Sequence, residues 1–347
     1  MRKINVAVLF GGCSPEYSVS LQSASAVIGQ MDRNRFKPIL IGISKEGSWY
    51  LFQGDLQKIE LDTWCNGADC TPAVVSPGSR QLLVLKKDDT ERIRLDAAFP
   101  VLHGKNGEDG TVQGVFALAG IPVVGCGVLP SALCMDKDRA HNLARAAGVA
   151  VPDSFVLDKD MVESTALAQA DRLGYPLFVK PVKAGSSFGI TRVAEPDALL
   201  AAVKLAFTYD DEVIMEEGIT GFEVGCAVMG NHSLTVGIPD EIELSDGFFD
   251  FAEKYTLKTS AIHVPARIPQ EKMEEVKQTA RVIYQALGCR GFARVDMFLD
   301  QSGKIIFNEV NTIPGFTAHS RFPSMMKAAG MPLREIISKA IELAVGG

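Results

Sequence analysis

Hydrophobic positions along the chain alternate between short apolar runs and stretches of helical spacing. Residues 4–10 and 97–102 are nearly continuous apolar runs, the pattern of parallel strands buried on both faces. Between them, Leu21, Ala24, Ile28 and Met31 recur at helical spacing over residues 18–31. The first unit therefore reads strand 4–10, turn Gly11-Gly12-Cys13-Ser14-Pro15, helix 18–31, strand 38–43, strand 97–102, helix 112–119 and a short strand 121–124. Such alternation predicts an α/β unit with a parallel sheet and crossover helices. The polar stretch around Ser76-Pro77-Gly78 reads as an irregular excursion.

A second pattern follows from about Gly125. Helix 136–147 ends at Gly148 as a C-cap. Strand 155–157, helix 164–173, strand 177–180, a loop Gly185-Ser186-Ser187-Phe188-Gly189, a β-like segment 190–193 and helix 196–207 make a small α+β module. A third unit opens with strand 213–216 and continues with strands 223–229 and 235–239. After a loop rich in Phe, Asp and Lys (247–255) come helix 270–287, a hairpin 292–299/304–310 turned by Asp300-Gln301-Ser302-Gly303, and two final helices. The expected units are 1–124, 125–211 and 212–347.

Composition narrows the class. At roughly 150 residues per domain, 347 residues suggest two or three domains. The chain is 47% hydrophobic and 22% charged, as in ordinary globular proteins. A net charge of −7 with no basic run argues against a nucleic-acid footprint. No apolar stretch approaches the ~20 residues of a membrane span. The first apolar run ends in Gly11-Gly12 without a cleavage site, so it reads as a strand and not a signal peptide. Seven scattered cysteines without Cys-x-x-Cys spacing indicate neither a zinc knuckle nor a disulfide framework. The expectation is a reduced, cytoplasmic protein with no membrane or nucleic-acid partner.

The hairpin carries the clearest chemistry. Residues i and i+2 share a strand face. With the turn at 300–303, Leu299 is expected opposite Lys304, Arg294 opposite Glu309 and Asp296 opposite Phe307. Arg294, Asp296, Glu309 and Asn311 then project from one face together with Phe298 and Phe307, and Val295, Met297, Leu299, Ile306 and Val310 from the core face. Asp296 and Glu309 become diagonal neighbours, roughly 7–8 Å apart. Two carboxylates and an amide oxygen suit a hard cation such as Mg²⁺. The alternative is a solvated strand face with one Arg–Glu pair.

Other positions offer two readings each. Gly185-Ser186-Ser187-Phe188-Gly189 matches the Gly-x-Ser-x-Gly nucleophile elbow, which requires a helix directly after it. It also suits a flexible loop covering phosphates, with Lys180 adding charge, or a plain turn. No Walker A pattern occurs. Glu216-Glu217-Gly218-Ile219 with Glu223 is either an adenine and ribose contact or an acidic surface turn. Glu16 follows the first strand, at the ligand-binding end of such sheets; it pairs with a ligand ammonium or matches the helix N-terminus. His103 and Glu108 fall in the same crevice. The loop holding Asp250, Glu253, Lys254 and Tyr255 is a lid or a self-anchored loop.

Together these pieces resemble the ATP-grasp superfamily and, within it, the D-alanine–D-alanine ligase family. The likeness covers nearly the whole chain in order. It runs from Phe10-Gly11-Gly12-x-Ser-x-Glu16-x-x-Val-Ser20 and Leu102-His103-Gly104 with Gly107-Glu108-Asp109-Gly110 to Met135-Asp136-Lys137 and Val179-Lys180-Pro181 before Gly185-Ser186-Ser187. It continues through Glu253-Lys254-Tyr255, Arg294-Val295-Asp296 and Asn308-Glu309-Val310-Asn311-Thr312-x-Pro314-Gly315. Cys226, Phe248-Phe249-Asp250 and Ser320-Arg321 are similar to the glycopeptide-resistance branch, especially the VanG-type D-alanine–D-serine ligases.

The resemblance implies an ATP-grasp fold, with a Rossmann-like N-terminal domain and central and C-terminal α+β domains. It implies ATP held between the second and third units. Lys137, Lys180 and Lys254 would neutralise its phosphates, and Ser186 and Ser187 would close over them. Glu216, Glu217 and Ile219 would face the base and Glu223 the ribose. Asp296, Glu309 and Asn311 would hold two Mg²⁺ ions, or Mn²⁺ in their place. A D-alanyl phosphate would form, and the amine of a second D-amino acid would attack it. Arg294 and the Gly315 N–H would stabilise the oxyanion. Glu16 would bind the first ammonium near His103 and Glu108, linked to the lid by Ser186 and Tyr255. Tyr255 resembles the peptide-forming enzymes, whereas D-lactate-using ligases carry a lid histidine. Ser320, Arg321 and Asp240 would shape the second subsite; a pocket built to bond a hydroxyl discriminates strongly, which favours D-serine over D-alanine. A homodimer in peptidoglycan precursor synthesis is implied. The rival readings are another ATP-grasp carboxylate–amine ligase, a serine hydrolase using Ser187 with His232, His263 or His319, and a silent nucleotide-binding module.

Overall fold

The computed structural model describes residues 2–160, 163–185, 188–244 and 260–346. Its N-terminal sheet is centred on strand Ile4–Gly11, parallel to Phe36–Ile43 on one side and Ala97–Pro100 on the other. Val6 to Phe10 are fully buried, as the continuous apolar run requires. Helices Tyr17–Gln30 and Thr111–Ala119 cover the sheet through Leu21, Ala24, Ile28 and through Val112, Phe116, respectively.

Two expectations for this unit change. The stretch about Ser76-Pro77-Gly78 is the turn of a regular meander. Strands Trp49–Phe52, Cys70–Ser76, Gln81–Leu85 and Thr90–Arg94 extend the sheet antiparallel. Only alternate residues such as Leu82 and Val84 are buried there, so the polar residues between them mask the strands. The expected strand 121–124 reduces to a single bridge, Ala98 with Val123. Pro122 within it has no N–H to donate.

The second sheet runs Thr191–Val193, Leu177–Pro181, Glu212–Glu217, Ser154–Asp158, all antiparallel. Helices Glu163–Leu173 and Leu199–Ala206 pack on it. The strand expected to open the third unit therefore lies inside this sheet, with Val213, Ile214 and Met215 fully buried. Conversely, helix Val128–Met135, not anticipated, and helix Lys137–Ala146 pack on the third sheet, through Cys134, Ala140 and Ala144 against Val295, Phe307 and Val310. By sheet membership the boundary shifts from 211/212 to beyond Glu217, and the helices at 128–146 leave the middle unit.

The third sheet runs Ser260–His263, Asp240–Leu244, Gly221–Met229, Phe292–Asp300, Ile305–Asn311, with Thr235–Val236 on a side branch. Helix Gln270–Ala286 covers one face. On the other side, Ala227, Met229 and Phe292 join the core beneath the first sheet, along with helices Arg321–Ala328 and Leu333–Val345. Phe99 of the first sheet stacks on Phe292 and Phe316, at 6.0 and 5.6 Å between centroids. The first and third sheets thus share one core. Among the described residues no helix is long and apolar enough to cross a membrane.

The hairpin register differs from that counted from the turn. Leu299 pairs with Ile305 and Met297 with Phe307; then a bulge skips Asn308, and Asp296 pairs with Glu309, Val295 with Val310 and Arg294 with Asn311. A bulge adds a residue to one strand and re-aims the side chains past it. Beyond this one the offset from the expected register is two residues, so Arg294, Asp296, Glu309 and Asn311 share a face as expected, but Asp296 and Glu309 are direct partners. Nearer the turn the offset is one. Phe307 is therefore in the core opposite Met297, and Ile306 takes the other face opposite Phe298.

Candidate functional site

The bulge completes a lateral row across four strands. Asp240 pairs with Gly225, Gly225 with Asp296, and Asp296 with Glu309. A Cβ at residue 225 would collide with Arg321 Nη2 and Asp240 Oδ1, so glycine makes the room in which the guanidinium lies. Arg321 donates from Nε and Nη2 to Asp240 (2.7 and 2.8 Å) and from Nη1 to Glu223 (2.6 Å), and Nη1 stands 3.5 Å from Asp296. Arg294 grips Asp296 from Nε (2.8 Å) and Nη2 (2.7 Å), and Asn311 donates to it from Nδ2 (2.8 Å). Burial disfavours a charged Arg321, but Asp240, Asp296 and Glu223 outweigh that and hold its pKa well above the ordinary value.

The geometry gives these residues partners within the protein. Arg321 and Asp240 form a buried ion-pair network under the sheet face, and Asp240 is fully buried. Glu223, expected at the ribose, is paired with Arg321. Four carboxylates (Glu223, Asp240, Asp296, Glu309) and two guanidinium groups (Arg294, Arg321) thus gather on this face. Among the described residues no group of three His, Cys, Asp or Glu holds a metal position. The set here is two carboxylates and an amide. Because Asn311 spends its Nδ2 on Asp296, its carbonyl oxygen is turned elsewhere, and Asn311 and Glu309 both line the cleft. These hard oxygen donors fit Mg²⁺ provided that phosphate oxygens and water complete the shell.

The cleft lies where the three sheets meet. Glu16 reaches it from the first, Lys137 and Gly185 from beside the second, and Arg294, Glu309 and Gly315 from the third. Glu16 precedes helix Tyr17–Gln30 and is 5% exposed. Its carboxylate lies against Gly104 and Gly185, where side chains would crowd it. Ser14 fixes the turn by accepting from the Glu16 N–H (3.1 Å) and donating to the His103 carbonyl (2.6 Å).

His103 and Glu108 are in this crevice as expected, but their polar atoms serve the protein. His103 Nδ1 is 2.9 Å from the Ile313 carbonyl and Nε2 is 3.2 Å from Ser23 Oγ. Glu108 Oε2 accepts from the Gly104 N–H (2.8 Å) and Oε1 from the Ile313 N–H (3.2 Å). Both therefore hold the segment leading to Gly315. Burial, with Glu16 close by, pushes Glu108 up to about 8 despite the two N–H donors. Burial also holds His103 below its ordinary value, against the pull of Glu16. Ser320 supports the same segment, its Oγ accepting from the Thr317 N–H (3.1 Å) and packing against Gly315.

At the far end of the cleft, Lys137 Nζ donates to the Ala184 carbonyl (2.8 Å) and Lys180 Nζ to Glu216 Oε2 (2.6 Å). Burial would raise Glu216, but Lys180 and His141 bring it below the usual carboxylate range. Glu217 accepts from the Asp153 N–H (2.9 Å) and Ile219 is half-buried beyond it. His141 was not singled out from the sequence, although it stands one helical turn from Lys137 and shares its face. Its Nε2 donates to the Asn308 carbonyl (2.8 Å), the group the bulge removes from the ladder. Its Nδ1 and Glu216 Oε1, 3.8 Å apart, are buried acceptors without a hydrogen-bond partner. Ser186, Ser187, Lys254 and Tyr255, with the rest of the 247–255 loop, lie outside the described residues. The nucleophile elbow is excluded by its own requirement, because strand Thr191–Val193 stands where a helix is needed.

Because Glu108 takes up a proton far more readily folded than unfolded, its contribution to stability is full below about pH 4.5 and is lost as pH rises to about 8. Urea unfolding between pH 5 and 8 should show the wild type losing stability relative to Glu108→Gln. Parallel curves would remove Glu108 as a titrating group.

Comparison with known proteins agrees with this geometry. A family model described as D-ala D-ala ligase N-terminus matches residues 5–126, and one described as D-ala D-ala ligase C-terminus matches 143–342. A putative D-alanine–D-lactate ligase of Streptomyces coelicolor is 46% identical, over 100% of this chain and 99% of its own. The vancomycin B-type resistance protein VanB of Enterococcus faecalis is 46% identical over 99% of both. The crystal structure of the VanG D-Ala:D-Ser ligase from Enterococcus faecalis superposes with a TM-score of 0.92 at 54% identity, covering 99% of this chain and 100% of that one. With both halves matched in order and the fold shared end to end, the chain belongs to the D-alanine–D-alanine ligase family.

Proposed function

We propose that the enzyme uses ATP to join D-alanine to a second D-amino acid, D-serine in preference to D-alanine, making the dipeptide precursor of peptidoglycan. One observation carries this reading: a single cleft brings together the buried acid Glu16, the guanidinium of Arg294, the Gly315 segment, and Glu309 and Asn311, with Asp296 directly behind them as the strand partner of Glu309. The first D-alanine places its ammonium at Glu16, and its carboxylate oxygen attacks the γ-phosphorus, displacing ADP. The amine of the second substrate then attacks the acyl carbon, loses a proton, and inorganic phosphate leaves. Arg294 spends Nε and Nη2 on Asp296, which leaves Nη1 for the oxyanion beside the Gly315 N–H. Such donors contribute about 3–4 kcal/mol each to the transition state.

Lys137 and Lys180 serve the phosphates by exchanging their present partners, Ala184 O and Glu216, for phosphate oxygens. Ser186, Ser187 and Lys254 complete that cover in this reading. The buried acceptors Glu216 Oε1 and His141 Nδ1 suit the amino group of adenine, with Glu217 and Ile219 at its edge. Asp296, Glu309 and Asn311 would hold two Mg²⁺, or Mn²⁺, which when bound would supply neutralisation of phosphate charge. Ser320, Arg321 and Asp240 border the second subsite, with Arg321 as a fixed cationic wall; Tyr255 and Ser186 link Glu16 to the lid. The sequence of the lid, with tyrosine and no histidine, supports an amine over D-lactate. The enzyme works as a cytoplasmic homodimer in this reading.

Phosphate release should require ATP, Mg²⁺ and D-alanine, and mass analysis of a mixture with D-serine should show mainly D-alanyl-D-serine. Mainly D-alanyl-D-alanine would assign D-alanine to the second subsite, a D-lactate ester would overturn the amine reading, and no phosphate release would overturn the ligase reading.

Gly225→Ala should drive a methyl into the seat of Arg321 and displace Asp296. Turnover is expected to fall on the order of 100-fold, as for other small misplacements of catalytic groups. Steady-state kinetics within twofold of wild type would show that the acid row tolerates disorder.

A further inference from the structure

We propose that Ser23 is a positioning residue for the acyl-transfer step, closing a hydrogen-bonded ring that fixes the Gly315 segment from the side of the first sheet. This rests on the proposed role of Gly315 as an oxyanion donor.

Ser23 lies on helix Tyr17–Gln30, two turns beyond Glu16, and is fully buried. Its Oγ stands 3.2 Å from His103 Nε2 and accepts from the Phe316 N–H at 3.4 Å. The proton positions are set by the partners. A carbonyl only accepts, so His103 Nδ1 must carry the proton donated to Ile313 O, at 2.9 Å. Nε2 of the neutral ring is then an acceptor, and the Ser23 hydroxyl proton points to it. The ring thus runs from Phe316 N–H to Ser23, from Ser23 O–H to His103, and from His103 Nδ1–H to Ile313 O. It spans Pro314 and Gly315 and pins both flanks of the proposed oxyanion donor. Chains of such bonds reinforce one another in a buried setting.

These anchors from the first unit act beside, and not on, Gly315. Glu108 holds the Ile313 N–H, His103 the Ile313 carbonyl and Ser23 the Phe316 N–H. Of the three, Ser23 alone bonds both His103 and the loop, so it ties the tautomer of the imidazole to the loop position. Removing its hydroxyl leaves His103 Nε2 without a donor and Phe316 N–H without an acceptor. The ring can then turn over and release Ile313.

The test is Ser23→Ala in the full chain, with Ser23→Thr as the variant that keeps the hydroxyl. Dipeptide formation at saturating substrates should fall about tenfold in Ser23→Ala, while the KM values for ATP and D-alanine and the yield of hydroxylamine-trapped D-alanyl phosphate stay within twofold. Ser23→Thr should recover at least part of the rate. An unchanged dipeptide rate in Ser23→Ala would overturn the assignment. So would an equal fall in trapped acyl phosphate, which would mark general damage to the fold. Absence of dipeptide formation by the wild type would instead defeat the underlying functional reading, so the two failures are separable.

Discussion

Four carboxylates gathered on one sheet face, Asp240 and Asp296 buried and Glu223 and Glu309 partly so, are the constraint around which this molecule is arranged. Carboxylates this close repel one another, and burial makes each uncompensated charge costly. Arg321 and Arg294 offset part of that repulsion from within the protein. Seating Arg321 requires a strand position with no side chain, hence Gly225. It also requires a helix that begins at residue 321, and Ser320 at its N-terminus turns back to support the Gly315 segment. Stability and chemistry thus draw on one set of residues, and replacing any member exposes the others.

The second constraint is that no single unit contains the cleft. The third sheet supplies the acids and Arg294, but its Gly315 segment is held by Glu108 and His103 from the first unit. The shared aromatic core of Phe99, Phe292 and Phe316 makes that possible, because it fixes the first and third sheets against each other. The second sheet contributes Lys180 and the approach to the glycine loop. Its connection to the third sheet runs through His141, which bonds the bulged Asn308 carbonyl and faces Glu216. The bulge therefore acts twice: it aligns Asp296 with Glu309, and it presents a carbonyl that ties a helix to the site.

How much of this was legible in the sequence depended on range. Period-two alternation placed Arg294, Asp296, Glu309 and Asn311 on one face, and the structure keeps them there. Counting outward from the turn missed the register because it assumes a uniform ladder, and nothing in Phe307-Asn308-Glu309 announces a bulge. The crevice position of Glu16, His103 and Glu108 followed from strand ends. Their bonding did not, because Ile313 lies about two hundred residues from His103 and Ser23 eighty away in the other direction. Arg321 was read as a pocket residue from the likeness of Ser320-Arg321 to the glycopeptide-resistance branch. Only the lateral alignment of Asp240 with Gly225 shows that it is buried in a salt-bridge network. The antiparallel meander escaped notice for a simpler reason: its strands are half-solvated, so polar residues dilute the signal.

The internal pairings also explain how a strongly polar cleft is stabilised by the protein itself. Lys180 and Glu216 are both almost fully buried, and each is the counter-charge of the other. An unpaired ammonium there would be expensive to bury. In the proposed function, entering phosphate would offer the lysine an alternative anion, and Glu216 would turn to a donor such as the amino group of adenine. Lys137 would make the same kind of exchange, giving up the Ala184 carbonyl at the root of the glycine loop. Nucleotide binding and loop position would then be linked through one side chain, because Ala184 directly precedes that loop. Part of the binding free energy would go into replacing these internal partners, so an analogue lacking phosphates would bind a cleft already neutralised against it.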